Sequence, residues 1–142
     1  MIDTRTAPYA ALALRAALGV MFIAHALLKY YVFTLPGTVK FFESLGLPGP
    51  LAYLTFWAEL LGGALILAGV ATRWVAAGLI PVLLGAAWAH AGNGWLFSAP
   101  NGGWEYPVFM AFAAAALALL GDGAYSLKNA IVKGRTLQGA SA

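Results

Sequence analysis

The 142-residue chain is 62% hydrophobic and 9% charged, with a mean hydropathy of +0.81. Soluble domains carry about 25% charged residues, and a soluble fold of this length could not bury so much apolar surface. Long continuous runs rich in Ala, Leu and Gly favour membrane helices over a membrane β-barrel, which would show ~10-residue alternating segments. The composition therefore predicts an all-α, multi-span membrane protein with one domain over residues 1–142.

The chain has no cysteine and a small net charge of +3. The missing thiols exclude disulfides, zinc–thiolate sites and iron–sulfur clusters held by this chain. The positive charge is too small and too scattered to indicate nucleic-acid binding, but it bears on membrane topology.

The first apolar run, residues 7–32, is long enough to cross a bilayer and yet contains Arg15, His25 and Lys29. A signal peptide is the competing interpretation, but the run is too long for one and carries Arg15 in its middle. Charged residues within a span cost about 2.5–3.5 kcal/mol each. Since His25 and Lys29 share a helix face, we expect that face to turn towards partners inside a helical bundle.

The rest of the chain predicts three more spans. Residues 33–49 form a connection, read either as a short amphipathic helix in the membrane interface or as a wet loop. Spans 50–71, 74–92 and 105–120 complete a four-helix bundle. Small residues in the second and third spans predict close helix packing, and a proline predicts a kink in the third; these residues are Gly62, Gly63, Gly78, Gly85, Gly92 and Pro81.

Four spans would place both termini and the turn before the third span on one side of the membrane. The basic residues concentrate there, and the positive-inside rule predicts that this side is cytoplasmic. Arg15 is expected to extend towards that side. The opposite side carries Lys40, whereas the predicted cytoplasmic side carries Arg5, Arg73, Lys128, Lys133 and Arg135.

The remaining ionisable residues converge at the other side. With a rise of ~1.5 Å per residue, Glu59 and His25 lie about 12–13 Å below the outer ends of their spans, and Lys29 about 6 Å. His90 lies about 3 Å deep and Glu105 at the surface. Glu59 is expected to pair with Lys29 or His25, and His90 with Glu105.

This constellation suits a quinone, because quinone oxygens need hydrogen-bond donors and quinone reduction takes up protons. A buried structural ion-pair network is the alternative, since burial alone demands that charges pair. Bis-histidine haem is not expected, because His25 and His90 differ in estimated depth by about 9 Å. No metal site is predicted either, since two histidines rarely suffice for one.

The pattern resembles the DoxX family of small bacterial four-helix membrane proteins over roughly residues 15–127. Each short motif is weak alone, but their order and spacing are fairly specific. The carrying residues are Arg15, Gly19, Phe22, His25 and Lys29, then Gly46-Leu47-Pro48, Glu59 with Gly62-Gly63, Gly69 with Thr72-Arg73, His90 with Asn93-Gly94, and Glu105-Tyr106.

The resemblance implies a bacterial inner-membrane component associated with oxidoreductases, with a redox enzyme as partner. We expect a subunit that handles a quinone in an outer-leaflet pocket. A non-catalytic anchor or assembly factor and a small transporter or proton path are the alternatives; homo-oligomers are left open. The expected pocket is lined by His25, Lys29, Glu59, His90 and Glu105 and shaped by Trp88, Asn93 and Trp104.

Overall fold

The computed structural model describes residues 3–129, so Lys133 and Arg135 lie outside the described residues. Within that range the fold is all-helical, and the helix positions match the four predicted spans. The helices are α1 (Ala7–Tyr31), α2 (Leu35–Ser44), α3 (Pro50–Ala68), α4 (Thr72–Ala89) and α5 (Glu105–Leu120), with a 3-10 turn at Ala91–Asn93.

The four long helices form the predicted bundle. α1 packs most extensively on α3, and α4 on α5, while α1–α5 and α3–α4 contacts close the ring. The α1, α3 and α4 helices are long and apolar enough to cross a membrane, whereas α5 is a shorter apolar helix of 16 residues. The shared core contains Leu18, Phe22, Ile66, Leu79, Leu83, Met110, Ala114 and Leu117.

The outer surface of the bundle is as apolar as its core. Trp74, Phe112 and Leu119 are each more than 70% exposed. Exposed apolar residues on this scale would be a liability in water and suit contact with lipid.

The connection between α1 and α3 contains the short helix that the sequence allowed. Thr34 begins α2, since its side chain accepts a hydrogen bond from the Gly37 N–H at 3.2 Å. α2 packs mainly on α3, with Thr38 as its buried residue. A helix is therefore confirmed over a loop, while its place in the membrane interface stays a prediction.

The α3–α4 turn lies earlier in the chain than the sequence predicted. Gly69 has φ 71° and Ala71 has φ 48°, so two left-handed residues reverse the chain within Gly69–Ala71. Glycine adopts that conformation without the steric cost that a Cβ brings. As a result α3 ends at Ala68 rather than near residue 71, and α4 begins at Thr72 rather than at residue 74.

Glycine lets α1 and α3 approach closely, as predicted. A Cβ on Gly63 would lie 3.0 Å from the Gly19 carbonyl oxygen, and one on Gly19 would lie 2.9 Å from the Leu67 Cβ. A Cβ on Gly62 would meet a Leu79 methyl of α4 at 2.8 Å. The two adjacent glycines of α3 therefore serve two different neighbouring helices.

The predicted glycine ridge on α4 is wrong within the described chain. A Cβ at Gly78, Gly85 or Gly92 would meet nothing within 4 Å, and all three residues are exposed. The seven-residue spacing does place them on one face, but that face is opposite Leu79 and Leu83, which enter the core. Seven-residue spacing cannot tell an inward face from an outward one.

Candidate functional site

The bundle has two polar ends. We call the end that carries α2 and the start of α5 the α2 end, and the opposite end, at the α3–α4 turn, the Arg15 end. The antiparallel crossing of α1 and α3 fixes this division, because Lys29 of α1 meets Glu59 of α3 while Arg15 meets Ile66.

A buried ion pair forms the centre of the α2 end. The Lys29 Nζ donates to the Glu59 Oε2 at 2.6 Å, and their side chains are 18% and 9% exposed. Both residues lie within apolar helices long enough to cross a membrane, and charges buried there need partners. The prediction that Glu59 would pair with Lys29 or His25 is confirmed, with Lys29 as the partner.

His25 lies beside this pair, one turn of α1 away from Lys29. Its Nδ1 lies 2.8 Å from the Met21 carbonyl oxygen, and its ring stacks on Tyr106 of α5 with centroids 5.8 Å apart. A carbonyl can only accept, so Nδ1 carries the proton and Nε2 is the second ring nitrogen available for chemistry.

His90 does not pair with Glu105, so that prediction is wrong. The His90 Nδ1 lies 3.3 Å from the Asn93 Nδ2. The same Asn93 Nδ2 donates to the Gly102 carbonyl oxygen at 2.8 Å. The ring lies 6.4 Å from that of Phe41 on α2. His90 caps α4 just before a 3-10 turn, and that turn brings Asn93 to it before the chain reaches Glu105.

Glu105 instead organises the loop between α4 and α5. Its Oε1 accepts the backbone N–H of Phe97 at 2.9 Å. The rings of Trp95 and Trp104 meet edge-to-face at 4.4 Å in the same loop. Trp88 is 56% exposed on the outward side of α4, so its side chain faces away from the bundle interior where the predicted pocket would lie.

The Arg15 end is built around a buried cation. The Arg15 side chain extends towards this end, as expected, but it is 2% exposed and ends on backbone acceptors rather than in water. The guanidinium fork donates to backbone carbonyls where α3 ends and where the chain leaves α5. Its acceptors, at 2.6–3.0 Å, are the carbonyl oxygens of Ile66, Leu67, Asp122 and Ala124.

Asp122 completes this end. One carboxylate oxygen accepts the Thr72 N–H at 3.0 Å, and the other lies 3.1 Å from the Lys128 Nζ. Partial burial opposes ionisation, but the hydrogen bonds from Lys128 and Thr72 outweigh it, so the pKa of Asp122 lies below its ordinary value of 3.8. The carboxylate therefore caps the start of α4 and ties it to the chain after α5.

Sequence reasoning missed Tyr106 as a site residue, although a signal was present. Tyr106 precedes Met110, Ala114 and Leu117 on the inward stripe of α5. A tyrosine on that inward stripe is expected to face the other helices of the bundle, including α1 with His25. The acceptors of Arg15 gave no such signal, because backbone carbonyls have no sequence signature.

The described residues contain no group of three or more His, Asp or Glu side chains placed to hold a metal ion. The groups of the α2 end that can donate hydrogen bonds or exchange protons include the Lys29–Glu59 pair and the two histidines.

Comparison with known proteins agrees with the sequence resemblance. The model of the DoxX family matches residues 10–92, which covers α1 to the 3-10 turn and leaves α5 outside the match. A Bacillus subtilis (strain 168) protein described as "Putative oxidoreductase CatD" is 41% identical over 75 residues. That alignment covers 53% of this chain and 54% of the relative, so the chain matches about half of that protein's length. No solved structure matches.

Proposed function

The chain belongs to the DoxX family of membrane proteins, a family associated with oxidoreductases, and from that premise we propose that it is the membrane subunit of a redox enzyme and handles a quinone at the α2 end. The observation that carries the proposal is the Lys29–Glu59 pair, buried between helices with His25 beside it.

The donors at the α2 end fit a quinone. Quinone oxygens accept hydrogen bonds, and Lys29 and Tyr106 each bring an N–H or O–H to this region. When bound, a quinone supplies two-electron chemistry that takes up two protons. No residue of the described chain supplies electrons, so a partner enzyme would provide them.

Each residue of the pair would have a distinct role. The Lys29 ammonium would donate to a quinone oxygen, while Glu59 keeps that ammonium charged and in place. His25 holds its Nδ1 proton on the Met21 carbonyl, which leaves Nε2 to exchange a proton with a ligand. Tyr106 fixes the His25 ring by stacking on it.

The surface groups of the α2 end would serve the exchange of protons with water. His90 is half-buried and is held by Asn93 close to the loop before α5. Glu105 and Trp104 would shape the mouth of the site by ordering that loop. Lipid on the apolar outer surface would deliver the quinone.

The same premise supports an orientation. We place both ends of the chain on the cytoplasmic side of a bacterial inner membrane, because Arg5, Arg73 and Lys128 all lie at the Arg15 end. Basic residues favour the cytoplasmic side of a membrane protein. The quinone site would then open towards the outer leaflet.

A membrane anchor or assembly factor for a redox enzyme is the second candidate. The observation that favours it is the completeness of the ion pair: the Lys29 ammonium already donates to Glu59 at 2.6 Å. An ion pair whose two charges satisfy each other needs no ligand, and holding α1 on α3 would be a sufficient role for it. Quinone binding distinguishes the two candidates.

The test is a quinone titration of the purified protein in lipid nanodiscs, with intrinsic tryptophan fluorescence as the readout of binding. We expect a short-chain naphthoquinone or benzoquinone to bind saturably. Lys29→Met and Glu59→Gln are each expected to weaken binding at least tenfold, because each removes a charge that holds the donor set.

Two exposed residues at the same end give matched controls. Lys40→Met and Glu43→Gln make the same chemical changes on α2 without touching the pair. They are expected to bind quinone as the wild type does. If wild-type protein binds no quinone, or if all four variants behave alike, the anchor is the better account.

A further inference from the structure

A second feature of the bundle lies away from the α2 end. A shallow groove of about 210 Å³ runs between α4 and α5 on the outer surface, and its lining is entirely apolar. The lining residues are Ile80, Leu84, Val108, Ala111, Phe112 and Ala115. Val108, Phe112 and Ala115 lie on the side of α5 opposite Tyr106, so this groove is separate from the proposed quinone site.

Arg73 stands at one end of the same groove. It lies seven residues before Ile80 on α4, and Leu119 lies seven residues after Phe112 on α5, so each pair shares a helix face. The Arg73 Nη2 donates to the Leu119 carbonyl oxygen at 3.2 Å. The guanidinium therefore bridges the two helices that form the groove.

The charge of Arg73 is open to a ligand. The ion pairs of residues 3–129 are Lys29–Glu59 and Lys128–Asp122, and neither includes Arg73. Asp122, which accepts the N–H of the neighbouring Thr72, pairs with Lys128. Arg73 is exposed, and the next residue, Trp74, is 77% exposed, as suits the membrane interface.

The spacing of cation and groove fits one kind of molecule. Seven residues of helix place Ile80 about 10 Å from the level of Arg73 along the bundle. The far end of the groove, at Leu84, lies about 16 Å from that level. Half of the hydrocarbon core of a bilayer is about 15 Å thick, so the groove runs from within one leaflet to about the midplane, the depth that one acyl chain spans. A negative headgroup at Arg73 and an acyl chain in the groove would satisfy both.

From this geometry we propose that the α4–α5 seam binds one anionic phospholipid, with its phosphate on Arg73 and an acyl chain in the groove between Ile80 and Phe112. The neutral lipids of the same bilayer share the acyl chain and lack the net charge. Binding therefore needs both halves of the seam, and neither half alone selects the lipid.

The test is native mass spectrometry of the protein released from micelles that contain phosphatidylglycerol and phosphatidylcholine with identical acyl chains. We expect one retained phosphatidylglycerol per chain, preferred about fivefold over phosphatidylcholine, as one basic side chain at an anionic headgroup would give. Arg73→Gln is expected to remove the preference. Arg5→Gln, an exposed cation at the same end, is expected to keep it.

The groove is tested separately from the charge. Ala115→Phe fills the groove and is expected to reduce retention of both lipids, while phosphatidylglycerol with six-carbon chains, too short to fill the groove, is expected not to stay bound to the wild type. Inorganic phosphate at millimolar concentration should not displace the long-chain lipid. Equal retention of the two headgroups by the wild type, survival of the preference in Arg73→Gln, or equal retention of the short-chain lipid would overturn the proposal.

Discussion

Arg15 holds a full positive charge in the interior without a carboxylate in contact with it. Its four hydrogen bonds all go to backbone carbonyls, from the end of α3 and from the segment after α5. Two of those carbonyls lie in the last turn of α3, where Ile66 also accepts the Gly69 N–H, and two lie in the segment after α5. The side chain thereby joins two backbone segments through hydrogen bonds. The planar guanidinium of Arg, with five N–H donors, can donate to both segments at once.

Asp122 gives this end a pH dependence whose sign can be worked out. Its pKa is lowered in the folded protein, chiefly because hydrogen bonds from Lys128 and Thr72 outweigh the effect of burial. The stabilisation is therefore complete above the ordinary pKa of 3.8 and is lost as pH falls through the lower folded pKa. Asp122→Asn should destabilise the protein by about 1 kcal/mol at pH 7 and by much less near pH 3.

Thermal unfolding in detergent at both pH values measures this difference. Glu43→Gln, an exposed carboxylate change at the opposite end, serves as the control and should shift neither curve. An Asp122→Asn penalty of equal size at pH 7 and pH 3 would show that the carboxylate charge is not what stabilises the turn.

The residues of the α2 end show how far a sequence can locate a site. Charged residues in apolar spans must find partners, and helix depth brought Glu59 near Lys29 and His25 without deciding between them. The structure pairs it with Lys29. The same depth argument failed for His90 and Glu105. Both lie at helix ends, where a loop supplies nearer partners such as Asn93 and the Phe97 N–H.

At the scale of helices, the glycines of α3 decide how closely α1 approaches. The Gly19–Gly63 crossing leaves no room for a Cβ, while Gly78 on α4 has open space beside it. A Gly63→Ala change should cost about 1–3 kcal/mol through overpacking. Gly78→Ala should be neutral or slightly stabilising, because alanine favours helix by up to about 1 kcal/mol over glycine.

The measurement is the thermal stability of both variants in the same detergent or nanodisc. The pair makes a matched comparison, since each replaces one mid-helix glycine by alanine. If Gly78→Ala were the more damaging of the two, its outward face would be in contact with something that the single chain does not show, and the Gly19–Gly63 crossing would not be the tight one.

The helices themselves were predictable because apolar length and turn residues fix them. The bounds of α1 and α5 follow the predicted spans within a residue. The α3–α4 turn lies earlier than predicted because two left-handed residues, Gly69 and Ala71, reverse the chain there, and an alanine in that conformation has no sequence signal. The spacing of small residues likewise could not predict which face of α4 turns inward.

At the scale of the molecule, the bundle separates two kinds of polar chemistry by the length of its helices. The Arg15 end uses its charge on backbone carbonyls and on the Asp122–Lys128 pair. The α2 end sets two oppositely charged side chains against each other, with a histidine beside them. The first arrangement ties the end of α3 and the start of α4 to the segment after α5. The second is the one suited to a ligand that accepts protons.

The most direct measurement compares the stability and the quinone affinity of Lys29→Met, Glu59→Gln and the paired Lys29→Met/Glu59→Leu protein. Breaking one partner of a buried pair should destabilise by about 3–5 kcal/mol, while the apolar pair should restore most of that loss. Our account predicts that the paired variant melts near the wild-type temperature and yet binds quinone at least tenfold more weakly. A paired variant that regains both stability and quinone binding would contradict it, because the charges would then serve the fold alone.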